Sequence, residues 1–155
     1  MDRQQNKTDA TLIPLDRPEA EMEPKQNKIN AILKTLEGSS ADITNVGLIS
    51  SDGIILADLN DPLLKGSAGL AAILNSLALR LTNALQIGAF LETHICTEQS
   101  DLLLFDIKTE TTLLFDEKQQ AILVVIVNHQ GDIDAARCNA RTAQTQLKKV
   151  LAQAI

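Results

Sequence analysis

Apolar positions along this chain change their spacing several times, and each change marks an element. Ile29, Ile32, Leu33 and Leu36 recur at intervals of three and four, which predicts a helix from about Lys25 that Gly38 caps. Two apolar runs follow, Ile43–Ser50 and Ile54–Leu59, joined through Asp52-Gly53. They read as a β-hairpin, because Asp and Gly tolerate the positive φ of a tight turn. Asp61-Pro62 breaks the pattern, and Ser67 is the expected N-cap of a second helix over residues 68–85. Phe90–Thr97, Leu102–Ile107, Leu113–Phe115 and Ile122–Val127 read as strands, with a turn at Gln119-Gln120. The last of them shows no alternation, which predicts cover on both faces. Gly131-Asp132 leads into a final helix striped by Ala136, Ala140, Ala143, Leu147, Val150 and Leu151.

The second helix carries two apolar stripes, Leu70-Leu74-Leu77-Leu81-Leu85 and Ala72-Ile73-Ser76-Leu79. A surface helix needs one. One stripe is expected on the sheet, and the other beneath the rest of this chain or a partner subunit. The element order predicts an α/β/α sandwich around an antiparallel sheet of five or six strands. Residues 1–24 hold three of the four prolines among polar and charged residues, and read as a disordered tail before a domain spanning 25–155.

Composition narrows the function. The core must be aliphatic, since the chain has three Phe and no Trp or Tyr. A net charge of -6 argues against general nucleic-acid binding. Two cysteines, Cys96 and Cys138, give no disulfide framework and read as reduced thiols. The polar N-terminus is unlike a signal peptide, and the apolar stretches read as too short or interrupted to span a bilayer. The expectation is a cytoplasmic protein without membrane insertion.

Candidate chemistry is sparse. No glycine-rich loop ends in Gly-Lys-Ser/Thr, and Lys65-Gly66-Ser67-Ala68-Gly69 reads as a helix start. His94 and Cys96 share a strand face and could begin a metal site, which needs two more ligands; His129 and Cys138 are available but follow no motif spacing. The reading is structural, with no metal and no cofactor. No serine sits in a nucleophile elbow. Asp106 with Glu110 reads as strand-end solvation, and Asp132 and Asp134 read as helix caps. Arg137, Arg141 and Lys148 flank the last helix as a solvated face or as a basic strip for an acidic partner.

From about Asn27 to Ala152 the chain resembles the Roadblock/light-chain-seven family, including its bacterial MglB-type members. The resemblance rests on Val46-Gly47-Leu48-Ile49-Ser50-Ser51-Asp52-Gly53-Ile54-Ile55-Leu56-Ala57, on the Ala/Leu-rich helix after it, on Ile122–Val127 and on Arg137. Ile133-Asp134-Ala135-Ala136-Arg137 departs from the family's Leu-Gly-x-x-Arg by placing Asp134 at the glycine, and the region Phe90–Phe115 is longer than usual. The resemblance implies a sandwich with the first and last helices on one face, and a homodimer in which second helices pair and the following strands join edge to edge. Family members bind and regulate Ras-like small GTPases or serve as scaffold subunits. No catalytic residue carries over, so the chain is not expected to be an enzyme. The second stripe places Ile73, Ser76 and Leu79 at the dimer interface. The polar residues Asn75, Arg80 and Asn83 are expected to ring a groove for the GTPase. The rivals are a scaffold without effect on GTP hydrolysis, a small-ligand sensor, and an enzyme using Cys96 and His94.

Overall fold

The fold is that of a computed structural model, which describes residues 17–59, 62–108 and 120–152, with side chains from Pro24 onward. Helix α1 spans Arg17–Gly38, strand β1 Ile43–Ser50, β2 Ile55–Ala57, helix α2 Pro62–Leu85, β3 Glu92–Cys96, β4 Ser100–Ile107, β5 Ala121–Asn128 and helix α3 Ile133–Ala152. Among the described residues the strands form one five-stranded sheet in the order β2-β1-β5-β4-β3, antiparallel throughout. The strand expected at Leu113–Phe115 lies outside the described residues.

Two apolar layers sandwich the sheet. Ile29, Leu33 and Leu36 of α1 and the whole expected stripe of α3 pack on one face against Leu48, Leu103, Phe105, Leu123 and Val125. On the other face Leu64, Ala68 and Ala72 of α2 meet Ile49, Leu104, Ile122 and Val124. The central strand β5 is buried on both faces. Its lack of alternation follows from that position.

The β1–β2 turn has the expected chemistry. Gly53 adopts φ 87°, and its N–H donates to the Ser50 carbonyl at 3.0 Å. A Cβ at Gly53 would lie 2.9 Å from the Gly69 Cα, so glycine also lets the turn rest on α2. Asp132 caps α3, accepting the Ala135 N–H at 3.0 Å.

Three expectations fail. Helix α1 begins at Arg17, so residues 17–24 are helical although they were expected in the tail; residues 1–16 lie outside the described set. Helix α2 begins at Pro62, so Ser67 is no N-cap. Its hydroxyl donates to the Leu63 carbonyl one turn earlier, at 2.9 Å. Proline at the first helical position loses no bond, which is why a presumed breaker serves as a start. The resulting 24-residue helix is long and apolar enough by length and composition to cross a membrane, against expectation. It nonetheless packs on the sheet through Leu64, Ala68, Ala72 and Asn75.

Candidate functional site

The face of α2 turned from the sheet is the main unpartnered apolar feature among the described residues. Small Ala68 and Ala72 let the helix lie close to β1 and β4, and this choice of face turns the bulky side chains outward. Leu70, Ile73, Leu77, Leu81 and Leu85 each keep 55–71% of their surface exposed. Ile87 and Leu91 extend the patch toward β3, an edge strand. The division into stripes therefore differs from the sequence reading. The Leu70–Leu85 row is the uncovered one except for half-buried Leu74. Of the expected interface trio, Ile73 is exposed while Ser76 and Leu79 are half-buried.

The polar trio separates. Arg80 and Asn83 are exposed. Ser76 and Arg80 border a shallow depression of about 440 Å³ whose opposite wall is Ser51-Asp52 of the β1–β2 turn. Asn75 does not join them. It is 4% exposed and points to the sheet, where its Nδ2 donates to Asp106 Oδ1 at 3.1 Å. A helix that packs through Leu64, Ala68 and Ala72 must carry position 75 on the same face, one turn further on. The Asp106 part of the expected strand-end solvation is corrected with it: the carboxyl is buried against α2, and Glu110 lies outside the described residues. Burial pushes the Asp106 carboxyl above the usual carboxylate range, opposed by the Asn75 hydrogen bond and the Lys108 charge. Asn75 Oδ1 and Asp106 Oδ2 have no hydrogen-bond partner.

Beside this face, α2 and the sheet enclose an apolar cleft of about 330 Å³. Leu63, Leu64, Leu70 and Leu74 wall it on one side, Val124 and Ile126 on the other.

A second constellation lies on the α1/α3 side, where β3 ends. Alternation along β3 turns Glu92, His94 and Cys96 toward α3, and the register sets Cys96 opposite Asp101. Asp101 is 5% exposed and receives His129 Nδ1 at 2.9 Å and His94 Nε2 at 2.8 Å on separate oxygens. These two bonds hold its carboxyl below the ordinary value. Cys96 Sγ lies 3.6 Å from His129 Nδ1. Desolvation, then the Asp101 charge and hydrogen bond, push the Cys96 thiol up, although the side chain is exposed. Cys96, Asp101 and His129 are a set that could hold a metal ion, with donor atoms within 4.8 Å of one another. Cys138 is exposed on α3 and takes no part in the set.

Arg137 and Arg141 of α3 do not form a free basic strip. Both reach Glu92 of β3, Arg137 Nε at 2.8 Å and Arg141 through Nη2. Arg137 also binds Asp134 at 3.0 Å and donates to His94 Nδ1 at 3.4 Å. Arg141 lies over the Phe105 ring, 5.5 Å from its centroid. The acidic partner of this strip is within the chain.

No protein-family model matches the chain, and no curated protein matches its sequence. Its fold does have relatives among solved structures. The gliding protein MglB from Thermus thermophilus superimposes with TM-score 0.68 at 16% identity, covering 95% of this chain and 100% of that one. An MglB with tetrameric arrangement gives 0.67 at 16% identity, covering 93% and 97%. A Roadblock/LC7 domain from Streptomyces avermitilis gives 0.65 at 17% identity, covering 79% and 97%. The chain therefore has the Roadblock/LC7 fold, an α/β/α sandwich with two helices on one face and one on the other. Among these folds it is similar to MglB over nearly its whole length.

Proposed function

We propose that this chain is a self-associating Roadblock-type subunit that binds and regulates a Ras-like small GTPase. The observation that carries the reading is the uncovered leucine and isoleucine row of α2. An apolar stripe of five large side chains on one helix marks an interface. The edge strand β3, with Leu91 beside it, supplies a second line along which two copies can meet. The partner would sit on the polar flank, at Arg80 and Asn83, and the chain would act by binding rather than by catalysis of its own. The resemblance of the Val46–Ala57 hairpin and the fold shared with MglB support this reading. The test is a pull-down with the Ras-like GTPases of the source organism, followed by GTP hydrolysis assays with and without the chain. The reading expects capture of a GTPase with a preference between its GTP-like and GDP forms; capture of none overturns it.

The apolar cleft favours one second reading, a small-ligand sensor. At about 330 Å³ it stands at the small end of ligand pockets. Saturable binding of an apolar fluorophore that Leu74→Trp abolishes would support the sensor.

A further inference from the structure

We propose that Cys96 Sγ, Asp101 Oδ1 and His129 Nδ1 bind a divalent transition-metal ion of the zinc class, with His94 as the group that orients Asp101. The inference is independent of the GTPase reading. The consecutive strands β3 and β4 supply two donors, and the turn after β5, 28 residues beyond Asp101, supplies the third. One sulfur, one carboxylate oxygen and one imidazole nitrogen form a donor set suited to zinc and poorly suited to calcium or magnesium. Donors around a tetrahedral zinc lie about 3.3–3.8 Å apart, from bond lengths of about 2.0–2.3 Å. The Cys96–His129 separation of 3.6 Å already fits. The Asp101–His129 pair, at 2.9 Å, must open by a few tenths of an ångström as the ion replaces the shared proton. His129 sits in a turn with its side chain 42% exposed, so that adjustment is small, and an ion can enter from solvent. The fourth coordination position is left to water or to an incoming ligand, as in zinc sites with three protein donors.

The second layer is already built. A guanidinium only donates, so Arg137 makes His94 Nδ1 an acceptor and places the ring proton on Nε2. That N–H donates to Asp101 Oδ2 at 2.8 Å, leaving Oδ1 turned toward His129 and Cys96. Glu92 and Asp134 in turn hold Arg137. Such outer contacts fix a ligating carboxylate before the ion arrives. On binding, the Cys96 thiol gives its proton to solvent, and the proton that His129 Nδ1 shared with Asp101 is exchanged through solvent to Nε2, which leaves Nδ1 free to ligate.

Cobalt titration of the full chain tests the assignment. Co²⁺ should bind one per chain and give a near-ultraviolet thiolate-to-cobalt band together with the strong visible bands of a four-coordinate ion. Zn²⁺ should displace it and excess Ca²⁺ should not. Cys96→Ser, at an exposed position, should keep the wild-type circular dichroism and lose the ultraviolet band. His129→Ala should weaken binding at least about tenfold. His94→Ala should keep the band and weaken binding about 10- to 100-fold, the range found for outer-layer partners. Cys138→Ser should behave as wild type. A wild-type chain without the band, a band that survives Cys96→Ser, or one that disappears with Cys138→Ser overturns the proposal.

Discussion

At the scale of single residues, the Asn75–Asp106 pair is where chemistry and stability meet. Each side chain leaves one oxygen without a partner while the other two polar atoms bond at 3.1 Å. A protonated Asp106 gains an O–H donor, and a bond from it to the Asn75 oxygen would remove both deficits at once. That agrees with the upward push that burial gives this carboxyl. The sign follows from linkage. A carboxyl raised in the folded state contributes stability that is complete below the ordinary carboxylate value and lost as pH rises through the raised one. Asp106→Asn keeps the shape and stays neutral, so it should match wild type in acid. It should become the more stable form toward neutrality, by about 1 kcal/mol, the scale of one buried hydrogen bond. Urea denaturation of both proteins across the acid-to-neutral range measures that difference; a gap that shrinks with rising pH contradicts it. Asn75→Ala strands Asp106 and should cost about 1–3 kcal/mol in the same assay.

At the scale of elements, α2 is the member whose two sides have different tasks. Its sheet side is built from small residues and ends on a polar pair, and its outer side keeps the leucines. Leu77 is central in that outer row and 55% exposed in the single chain. Leu77→Asp should therefore leave the isolated fold intact, with an unchanged far-ultraviolet circular dichroism spectrum. A charge buried without a partner at a contact costs several kcal/mol, enough to shift a micromolar assembly to monomers. Light scattering of wild type and variant decides this: a wild-type monomer at the same concentration refutes assembly through α2.

At the scale of the whole molecule, the sheet order determines which surfaces are available. Strands β1, β5 and β4 sit in the interior, so the sheet offers only its β2 and β3 edges, beside the open α2 face. Arg80 lies across the depression from Asp52, on an exposed flank. Arg80→Glu should weaken GTPase binding by tenfold or more without moving the thermal midpoint. Equal affinity of variant and wild type, in both nucleotide states, would remove this flank from the interface.

What the sequence determined by itself is the local order of the fold. Apolar runs bounded by turn residues place every described strand, and period-3.6 spacing places the apolar stripe of α3. The Asp52-Gly53 pair marks a turn because only certain residues accept φ of 87°. Asp132 as a cap follows from one local hydrogen bond. Patterning could not say which stripe of α2 meets the sheet, since both are apolar; the close approach at Ala68 and Ala72 decides it. It could not separate Asn75 from Arg80 either, because burial of an amide depends on an acceptor 31 residues away. The metal-ligand set shows the same limit. His94 and Cys96 are visible as a pair, but Asp101 enters through strand register and His129 through the neighbouring strand β5. Those distances exist only once the chain has folded, because hairpin register sets Asp101 opposite Cys96 and the sheet brings in His129 from 28 residues further on.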